Sequence, residues 1–209
     1  MNDREQEIKI DLQSESYYRK LLESFGPGSD EIRQDNHFFD TADRALARSG
    51  WALRIRIEAD KAIMTLKGKA AKSNLLHLTD RPEYSAVIPL SVAQKYITDG
   101  LEAAILPDKF TPVLSNIPLV STMFRRLHFV NFRRRAIYKT SDICLELEID
   151  RTIFADNSVD YELEIELAGE ESYPAAIEAI AALLKERGIP LKFQPEGKLA
   201  RAMGRSAKR

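Results

Sequence analysis

The sequence predicts an α+β fold, in which an antiparallel β-barrel of about eight strands has a charged interior and is surrounded by helices. Charged and apolar residues alternate along several segments, as expected where successive side chains of a strand point to opposite faces. The charged positions are sorted by sign from one strand to the next, and several amphipathic helices are available to cover the apolar face. The charged face would then line a closed barrel wide enough for one small ligand.

The first part of the chain is predicted to be rich in strands. Glu5-x-Glu7-x-Lys9, with Ile8, Ile10 and Leu12 at alternate positions, predicts a strand over 5–12. Ser14 is a suitable N-cap for a helix over 14–25. Further strands are predicted at 31–40, 51–58, 61–69 and 81–88, the second and third of them joined by a tight hairpin turn.

The second part begins with a helical segment over 90–117. Strands follow at 119–131, 133–140, 142–153 and 159–168, and then helices at 170–187 and near 196–204. Because neither a repeat nor a Gly/Ser/Pro linker divides the chain, we expect a single domain over 1–209 with a helical insert at about 90–118.

Composition excludes several functional classes. The 31 basic residues nearly balance the 32 acidic ones, so a net charge of −1 gives no reason to expect binding to nucleic acid. No run of apolar residues is long enough for a membrane span, so we expect no membrane partner. Cys144, the only cysteine, rules out an internal disulfide and fits a cytoplasmic location. It lies in an alternating segment and is predicted to be buried.

The three histidines lack the spacing of metal ligands, which makes a histidine zinc site improbable. His37, His77 and His128 are therefore predicted to be structural.

The charged rows suggest a ligand. Any single row could simply be the solvated face of a sheet. However, like charges in a row repel each other, so the acidic rows need the basic ones as counter-charges if the sheet closes. Carboxylates suit Mg²⁺ or Mn²⁺, and Arg and Lys bind phosphate oxygens. The basic rows are Arg54 and Arg56, Lys67 and Lys69, and Arg133 and Arg135; the acidic rows are Glu146, Glu148 and Asp150, and Glu162, Glu164 and Glu166.

The ordered motifs resemble a known family. Glu5-x-Glu7-x-Lys9 strongly resembles the signature of the CYTH superfamily, the triphosphate tunnel metalloenzymes. The resemblance continues in order over nearly the whole chain, through NHFFDT (36–41), ALRIR (52–56), TLKG (65–68), RPE (81–83), LELEIDR (145–151) and YELEIE (161–166). It implies an eight-stranded antiparallel tunnel.

The resemblance also implies roles for individual residues. Glu5, Glu7 and Lys9 would be catalytic. The metal, Mg²⁺ or Mn²⁺, would be bound by Glu5 and Glu7 together with two of Glu162, Glu164 and Glu166, of which we predict Glu162 and Glu164. The phosphates would be bound by Lys9, Arg54, Arg56, Lys67, Arg133, Arg135 and Lys198. Arg125 and Arg126 are alternatives to Arg133 and Arg135 as phosphate ligands. Glu83, Glu146, Glu148 and Asp150 are further acidic candidates for the site, but they could equally be salt-bridge partners.

The predicted function is that of a Mg²⁺- or Mn²⁺-dependent phosphoanhydride hydrolase acting on inorganic tripolyphosphate or another triphosphate such as ATP. Alternatives are a class IV-type adenylate cyclase, a thiamine triphosphatase and a non-catalytic protein that binds polyphosphate or nucleotide. Thiamine triphosphatases place a Trp directly before the Leu-Arg of the basic strand, where this chain has Ala52; Trp51 is predicted on the opposite face. We expect the protein to be a monomer or a homodimer. Its predicted binding partner is the triphosphate-containing small molecule.

Overall fold

The computed structural model describes residues 4–26, 30–71, 75–119, 122–167, 169 and 172–206. Within these ranges lie eight strands and six α-helices. Their bounds in chain order are β1 (Arg4–Asp11), α1 (Glu15–Glu23), β2 (Ile32–Asp40), α2 (Ala45–Arg48), β3 (Trp51–Glu58), β4 (Lys61–Gly68), β5 (Leu78–Ile88), α3 (Leu90–Asp99), α4 (Thr111–Leu114), β6 (Phe124–Lys139), β7 (Cys144–Ile153), β8 (Val159–Glu166), α5 (Tyr173–Glu186) and α6 (Lys198–Ser206).

The strands form a closed antiparallel barrel. They are hydrogen-bonded in the order β1-β5-β4-β3-β2-β6-β7-β8, and β8 pairs in turn with β1. The β3–β4 hairpin runs from Trp51 opposite Gly68 to Glu58 opposite Lys61, as the short turn between them predicts. The eight-stranded barrel predicted from the sequence is therefore confirmed.

One strand was predicted as two. The sequence indicated separate strands at 119–131 and 133–140, whereas β6 is a single strand of 16 residues that begins at Phe124. Asn131, near the predicted break, is buried, and its Oδ1 accepts a hydrogen bond of 2.8 Å from Oγ1 of Thr152. Residues 120 and 121 of the strand predicted at 119–131 lie outside the described residues, as do 168, 170 and 171 at the predicted ends of β8 and α5.

The helical insert is shorter and more irregular than predicted. After α3, two 3₁₀ turns, Ala103–Ile105 and Asp108–Phe110, precede the short α4. The helix α3 stops at Gly100, whose φ of +86° lies in the region that favours glycine. A Cβ there would also lie 2.9 Å from the carbonyl oxygen of Met123, so the position accepts only glycine without a shift.

The chain comprises two compact units. The first contains the described residues of Met1–Arg4, Gln34–Ala70 and Arg81–Val130, and the second those of Glu5–Arg33, Ala71–Asp80 and Asn131–Arg209. In the first unit, β3 and β4 pack their apolar side chains against α2, α3 and Phe110. In the second, β1, β7 and β8 do so against α1 and α5. In both units the charged side chains lie on the other strand face, in agreement with the predicted charged interior.

Local features of the sequence account for the ends of several elements. Oγ of Ser14 accepts a hydrogen bond of 3.3 Å from the backbone N–H of Tyr17, so the predicted N-cap of α1 is confirmed. Asp40 caps α2, because its carboxylate accepts hydrogen bonds from the backbone N–H groups of Leu46 and Ala47 at 3.0 and 3.1 Å. Asp40, the aspartate of the NHFFDT motif, thus has a structural role as a helix cap.

The prediction that Cys144 is buried is wrong. Cys144 is the first residue of β7 and is exposed. Strand alternation places it on the same face as Glu146 and Glu148, not on the face of Leu145 and Leu147.

The histidines lie in ring stacks, which agrees with a structural role. The rings of His37 and His128 are 4.6 Å apart in the first unit. The ring of His77 stacks at 3.9 Å on that of Phe193 in the second.

None of the helices in the described ranges combines the length and the hydropathy that crossing a membrane requires.

Candidate functional site

The second unit brings three acidic strands into register. In one cross-strand row, Glu164 of β8 lies between Lys9 of β1 and Glu148 of β7. The adjoining rows are Asp11, Glu162 and Asp150 on one side, and Glu7, Glu166 and Glu146 on the other. Because directly opposed like charges destabilise a sheet, these rows require cations.

Arg133 of β6 supplies the first cation. Its Nε and Nη2 donate hydrogen bonds of 2.8 and 2.6 Å to the two carboxylate oxygens of Asp150. Nη2 also donates to Oε2 of Glu164 at 2.6 Å, and Nη1 donates to Oε2 of Glu148. Arg133 is 5% exposed and Asp150 not at all, so this pairing is fully enclosed.

Lys198, the first residue of α6, supplies the second cation. Its Nζ lies 2.5 Å from Oε1 of Glu162, 2.8 Å from Oε1 of Glu164 and 2.9 Å from Oδ2 of Asp150. The sequence predicted that Glu162 and Glu164 act together and that Lys198 joins the site. The structure brings these three residues into direct contact.

The sequence did not predict that two further arginines of α6 would contact the acidic cluster. Nε of Arg201 donates a 2.8 Å hydrogen bond to Asp160, and Nη2 of Arg205 donates one of 2.5 Å to the other oxygen of the same carboxylate. Nη2 of Arg201 also lies 2.8 Å from Oε2 of Glu162. The spacing of Lys198, Arg201 and Arg205, which places them on one face of a helix, was the available signal. From the helix predicted near 196–204, only Lys198 was included in the predicted site.

Burial and charge shift the pKa values in this cluster in opposite directions. Burial, reinforced by the neighbouring Glu164, raises the pKa of Glu162 to about 7 despite the nearby Lys198. Burial also disfavours the ionised form of Glu164, but Lys198, Arg133 and Lys9 outweigh it and hold the pKa of that carboxyl well below its usual range. Two glutamates on the same face of one strand therefore have pKa values shifted in opposite directions.

The β1 end of the cluster contains the predicted catalytic residues. Glu7 and Lys9 are almost completely buried, and the ammonium of Lys9 forms an ion pair with the carboxylate of Glu7. Glu5 lies two residues earlier on the same face and is partly buried. Glu166 faces Glu7 across the strands and keeps part of its surface exposed; burial of its carboxyl, followed by the charges of Glu148 and Glu5, raises its pKa to about 7.

The first unit contains the other predicted phosphate-binding residues. Arg54 and Arg56 lie on the same face of β3 and are partly buried. Nε of Arg56 donates a 3.1 Å hydrogen bond to Oδ1 of Asn36. On β4, Nζ of Lys67 lies 2.5 Å from Oε2 of Glu83, so this acidic candidate is a salt-bridge partner within the unit.

Among the arginines of β6, Arg133 is the one enclosed by carboxylates. Arg135 lies 3.3 Å from Glu148, with 57% of its side chain exposed. Arg125 and Arg126, the alternatives from the sequence, are exposed residues at the start of the strand, in the first unit.

The donor chemistry of the second unit fits a hard divalent cation. All candidate ligands are carboxylate oxygens, which Mg²⁺ and Mn²⁺ prefer, and the buried Oε2 of Glu162 has Nη2 of Arg201 at 2.8 Å as an ion-pair partner. In the part of the chain that the structure describes, no three Asp, Glu, His or Cys side chains are arranged as a metal site. The carboxylates of Glu162, Glu164 and Asp150 instead point toward Lys198 and Arg133.

Comparisons with known proteins give a consistent assignment. The family model of the CYTH domain matches residues 3–193. A solved structure from Hippeastrum, provisionally described as an adenylyl cyclase with a dominant triphosphatase activity, is 27% identical, with 96% of this chain and 95% of that chain covered and a TM-score of 0.73. One from Bacillus halodurans, provisionally described as an adenylate cyclase, is 25% identical, with 95% and 98% covered and a TM-score of 0.70.

A protein from Pyrococcus horikoshii OT3 shares the fold, with 18% identity, 95% and 99% of the two chains covered and a TM-score of 0.58. No curated protein sequence matches the chain. Because the CYTH model matches nearly the whole length, the chain belongs to the CYTH domain family.

Proposed function

We propose that the protein is a metal-dependent triphosphatase that hydrolyses inorganic tripolyphosphate. The observation that carries the proposal is the enclosed cluster of the second unit, in which carboxylates and ammonium groups lie within 3 Å of one another. A surface that only bound an anion would gain little from so many buried carboxylates, because their charge repels phosphate. The cluster suits a polyanion that arrives with a divalent cation.

The metal ligands in this proposal are Glu5, Glu7, Glu162 and Glu164. When bound, Mg²⁺ or Mn²⁺ would neutralise charge on phosphate oxygens and lower the pKa of a coordinated water molecule. Burial raises the pKa of Glu162 in the metal-free protein, and a bound cation would favour the ionised form in which Glu162 acts as a ligand.

The cationic residues would bind the phosphate chain. In the second unit these are Lys9, Arg133, Lys198 and the half-exposed Arg135; in the first unit they are Arg54, Arg56 and Lys67. Charge on a transferring phosphoryl group spreads over its oxygens, so fixed cations stabilise the transition state without a covalent nucleophile. The triphosphatase activity described for the Hippeastrum relative supports this reading.

Phosphate release tests the proposal. Wild-type protein is expected to release phosphate from tripolyphosphate only when Mg²⁺ or Mn²⁺ is present, in a panel that also contains ATP, thiamine triphosphate and pyrophosphate. Glu7→Gln is expected to lose at least 90% of this activity, about 1.4 kcal/mol or more of transition-state stabilisation. Glu23→Gln, at the end of α1 on an exposed position, is the control. Full turnover by Glu7→Gln would remove Glu7 from the site, and turnover in EDTA would refute metal dependence.

Adenylate cyclase activity is the second candidate, because both the Hippeastrum and the Bacillus halodurans relatives are described in those terms. The same panel decides between the two: cyclic AMP formed from ATP identifies a cyclase, and inorganic phosphate identifies a hydrolase. Thiamine triphosphate is a weaker candidate substrate. The ring of Trp51 lies 6.2 Å from that of Tyr84 and packs against the apolar cluster of the first unit, away from the face that carries Arg54.

The proposal includes a cytoplasmic location, where the exposed Cys144 stays reduced.

A further inference from the structure

Arg201 of α6 is held on three sides within the second unit. It is 9% exposed, and each nitrogen of its guanidinium contacts a different group. Nε donates a hydrogen bond of 2.8 Å to Oδ2 of Asp160, Nη1 donates to the backbone carbonyl of Glu196, and Nη2 lies 2.8 Å from Oε2 of Glu162. Because a guanidinium is planar and rigid, these contacts fix both its position and its orientation.

The two carboxylates that Arg201 contacts lie on one face of β8. Asp160 and Glu162 are two residues apart on the strand, so their side chains point to the same side of the sheet. The other oxygen of Asp160 accepts a hydrogen bond of 2.5 Å from Arg205. Asp160 therefore anchors Arg201 against the strand, and Arg201 in turn restrains Oε2 of Glu162.

The remaining oxygen of Glu162 lies beside a second predicted metal ligand. Oε1 of Glu162 and Oε1 of Glu164 converge on Nζ of Lys198, at 2.5 and 2.8 Å. The two oxygens are thus close enough to share one cation, as long as the carboxylate of Glu162 does not rotate away. The contact of its Oε2 with Arg201 opposes that rotation.

We propose that Arg201 is a positioning residue that fixes the carboxylate of Glu162 for metal binding. The inference rests on the proposed function, in which Glu162 is a metal ligand, and adds to it a residue outside the segment 3–193 that the family model matches. Arg201 acts through Glu162, because a partner of a metal ligand sets the orientation of that ligand. The phosphate-binding roles of Arg133 and Lys198 are unaffected.

Two substitutions of Arg201 separate geometry from charge. Arg201→Lys keeps the positive charge, but a single ammonium on a flexible chain cannot hold Asp160 and Glu162 in fixed positions at the same time. Arg201→Gln also removes the charge. Loss of a positive charge near a cation site would by itself strengthen cation binding, so weaker binding by this variant cannot be an effect of charge alone.

Arg205→Lys is the matched control. Arg205 lies one turn further along the same helix, where its guanidinium contacts Asp160 and Ser158 and lies 4.2 Å from the centre of the Phe154 ring. Its replacement weakens the attachment of α6 to the strands but removes none of the contacts of Glu162 described above. The comparison therefore separates the positioning of Glu162 from the anchoring of the helix.

Calorimetric titration of the purified full-length protein with MnCl₂ measures the role without turnover. Mn²⁺ affinity is expected to be about 10–100-fold lower in Arg201→Lys than in wild type, and within about twofold of wild type in Arg205→Lys. Arg201→Gln is also expected to bind Mn²⁺ more weakly than wild type. The melting temperature without ligands is expected to fall in both lysine variants, because each loses a hydrogen bond to Asp160.

Each other outcome counts against the proposal. Unchanged Mn²⁺ affinity in Arg201→Lys overturns it, and so does an equal loss in Arg205→Lys, which would assign Arg201 only to the attachment of α6. Weaker binding of tripolyphosphate in EDTA by Arg201→Lys, with Mn²⁺ affinity retained, would make Arg201 a phosphate ligand instead.

The proposed function can fail separately. If wild type binds no Mn²⁺, the positioning role fails together with the metal site. If wild type binds Mn²⁺ but hydrolyses no triphosphate, the proposed function fails while the Mn²⁺ comparison still decides the role of Arg201.

Discussion

The buried imidazole of His37 makes the stability of the first unit depend on pH. His37 is 7% exposed, its ring stacks at 4.6 Å on that of His128, and its Nδ1 has no hydrogen-bond partner among the described residues. Burial, followed by the positive charges of His128 and Arg125, lowers the pKa of His37 from 6.5 to about 4, although Asp35 opposes the shift. Protonation of His37 is therefore disfavoured in the folded protein.

The sign and size of the effect follow from this shift. Between pH 6.5 and about 4 the unfolded chain is protonated at His37 while the folded chain is not, so stability falls as pH falls. Above pH 6.5 His37 is neutral in both states, and below about pH 4 it is protonated in both. The pH-dependent loss of stability therefore takes place between these two values and is complete below about pH 4. The shift corresponds to about 3 kcal/mol in full, of which about 2 kcal/mol is lost by pH 5.

Urea unfolding from pH 7.5 to 4.5 measures the effect when wild type is compared with His37→Phe, which keeps an aromatic ring at the position but cannot titrate. Other groups titrate in both proteins, so the difference between their free energies of unfolding isolates His37. Relative to the variant, wild type is expected to lose about 2 kcal/mol between pH 7 and pH 5. A constant difference across this range, or an NMR titration of His37 with a pKa near 6.5, would refute the reasoning.

Three substitutions test other parts of the structure by thermal or urea unfolding. Ser14→Ala removes the N-cap of α1 and is expected to cost about 1 kcal/mol, and Ser14→Asp is expected to restore it. Gly68→Ala places a Cβ 2.6 Å from Cγ of Pro82 and is expected to cost about 1–3 kcal/mol; a neutral result would show that the two strands separate easily. Asp150→Asn removes a buried partner of two cations and is expected to cost about 3 kcal/mol, whereas the exposed Asp142→Asn is expected to be neutral.

Strand alternation made much of the fold predictable from the sequence. Leu145, Leu147 and Ile149 are buried on one face of β7, with Glu148 and Asp150 on the other, as the period of two requires. The same rule, applied more strictly, would have placed Cys144 on the charged face.

Features that depend on distant partners were not predictable. Within the continuous strand β6, the side chain of Asn131 accepts a hydrogen bond from Thr152 of β7, and no local pattern reveals that partner. Likewise the sequence could place Arg133 on a charged face but not opposite Asp150, because the neighbour of a strand is set by the closed strand order. Strand alternation determines the face of the sheet on which a side chain lies, whereas the pairing of strands determines which residues it contacts.

The position of α6 in the chain has a consequence for synthesis on the ribosome. The acidic strands β7 and β8 precede Lys198, Arg201 and Arg205, the helix residues that neutralise them. A nascent chain that ends before α6 therefore has opposed carboxylates without these counter-ions. Stable pairing of β7 with β8 is therefore expected to be complete only after α6 has also been synthesised and can contact the two strands.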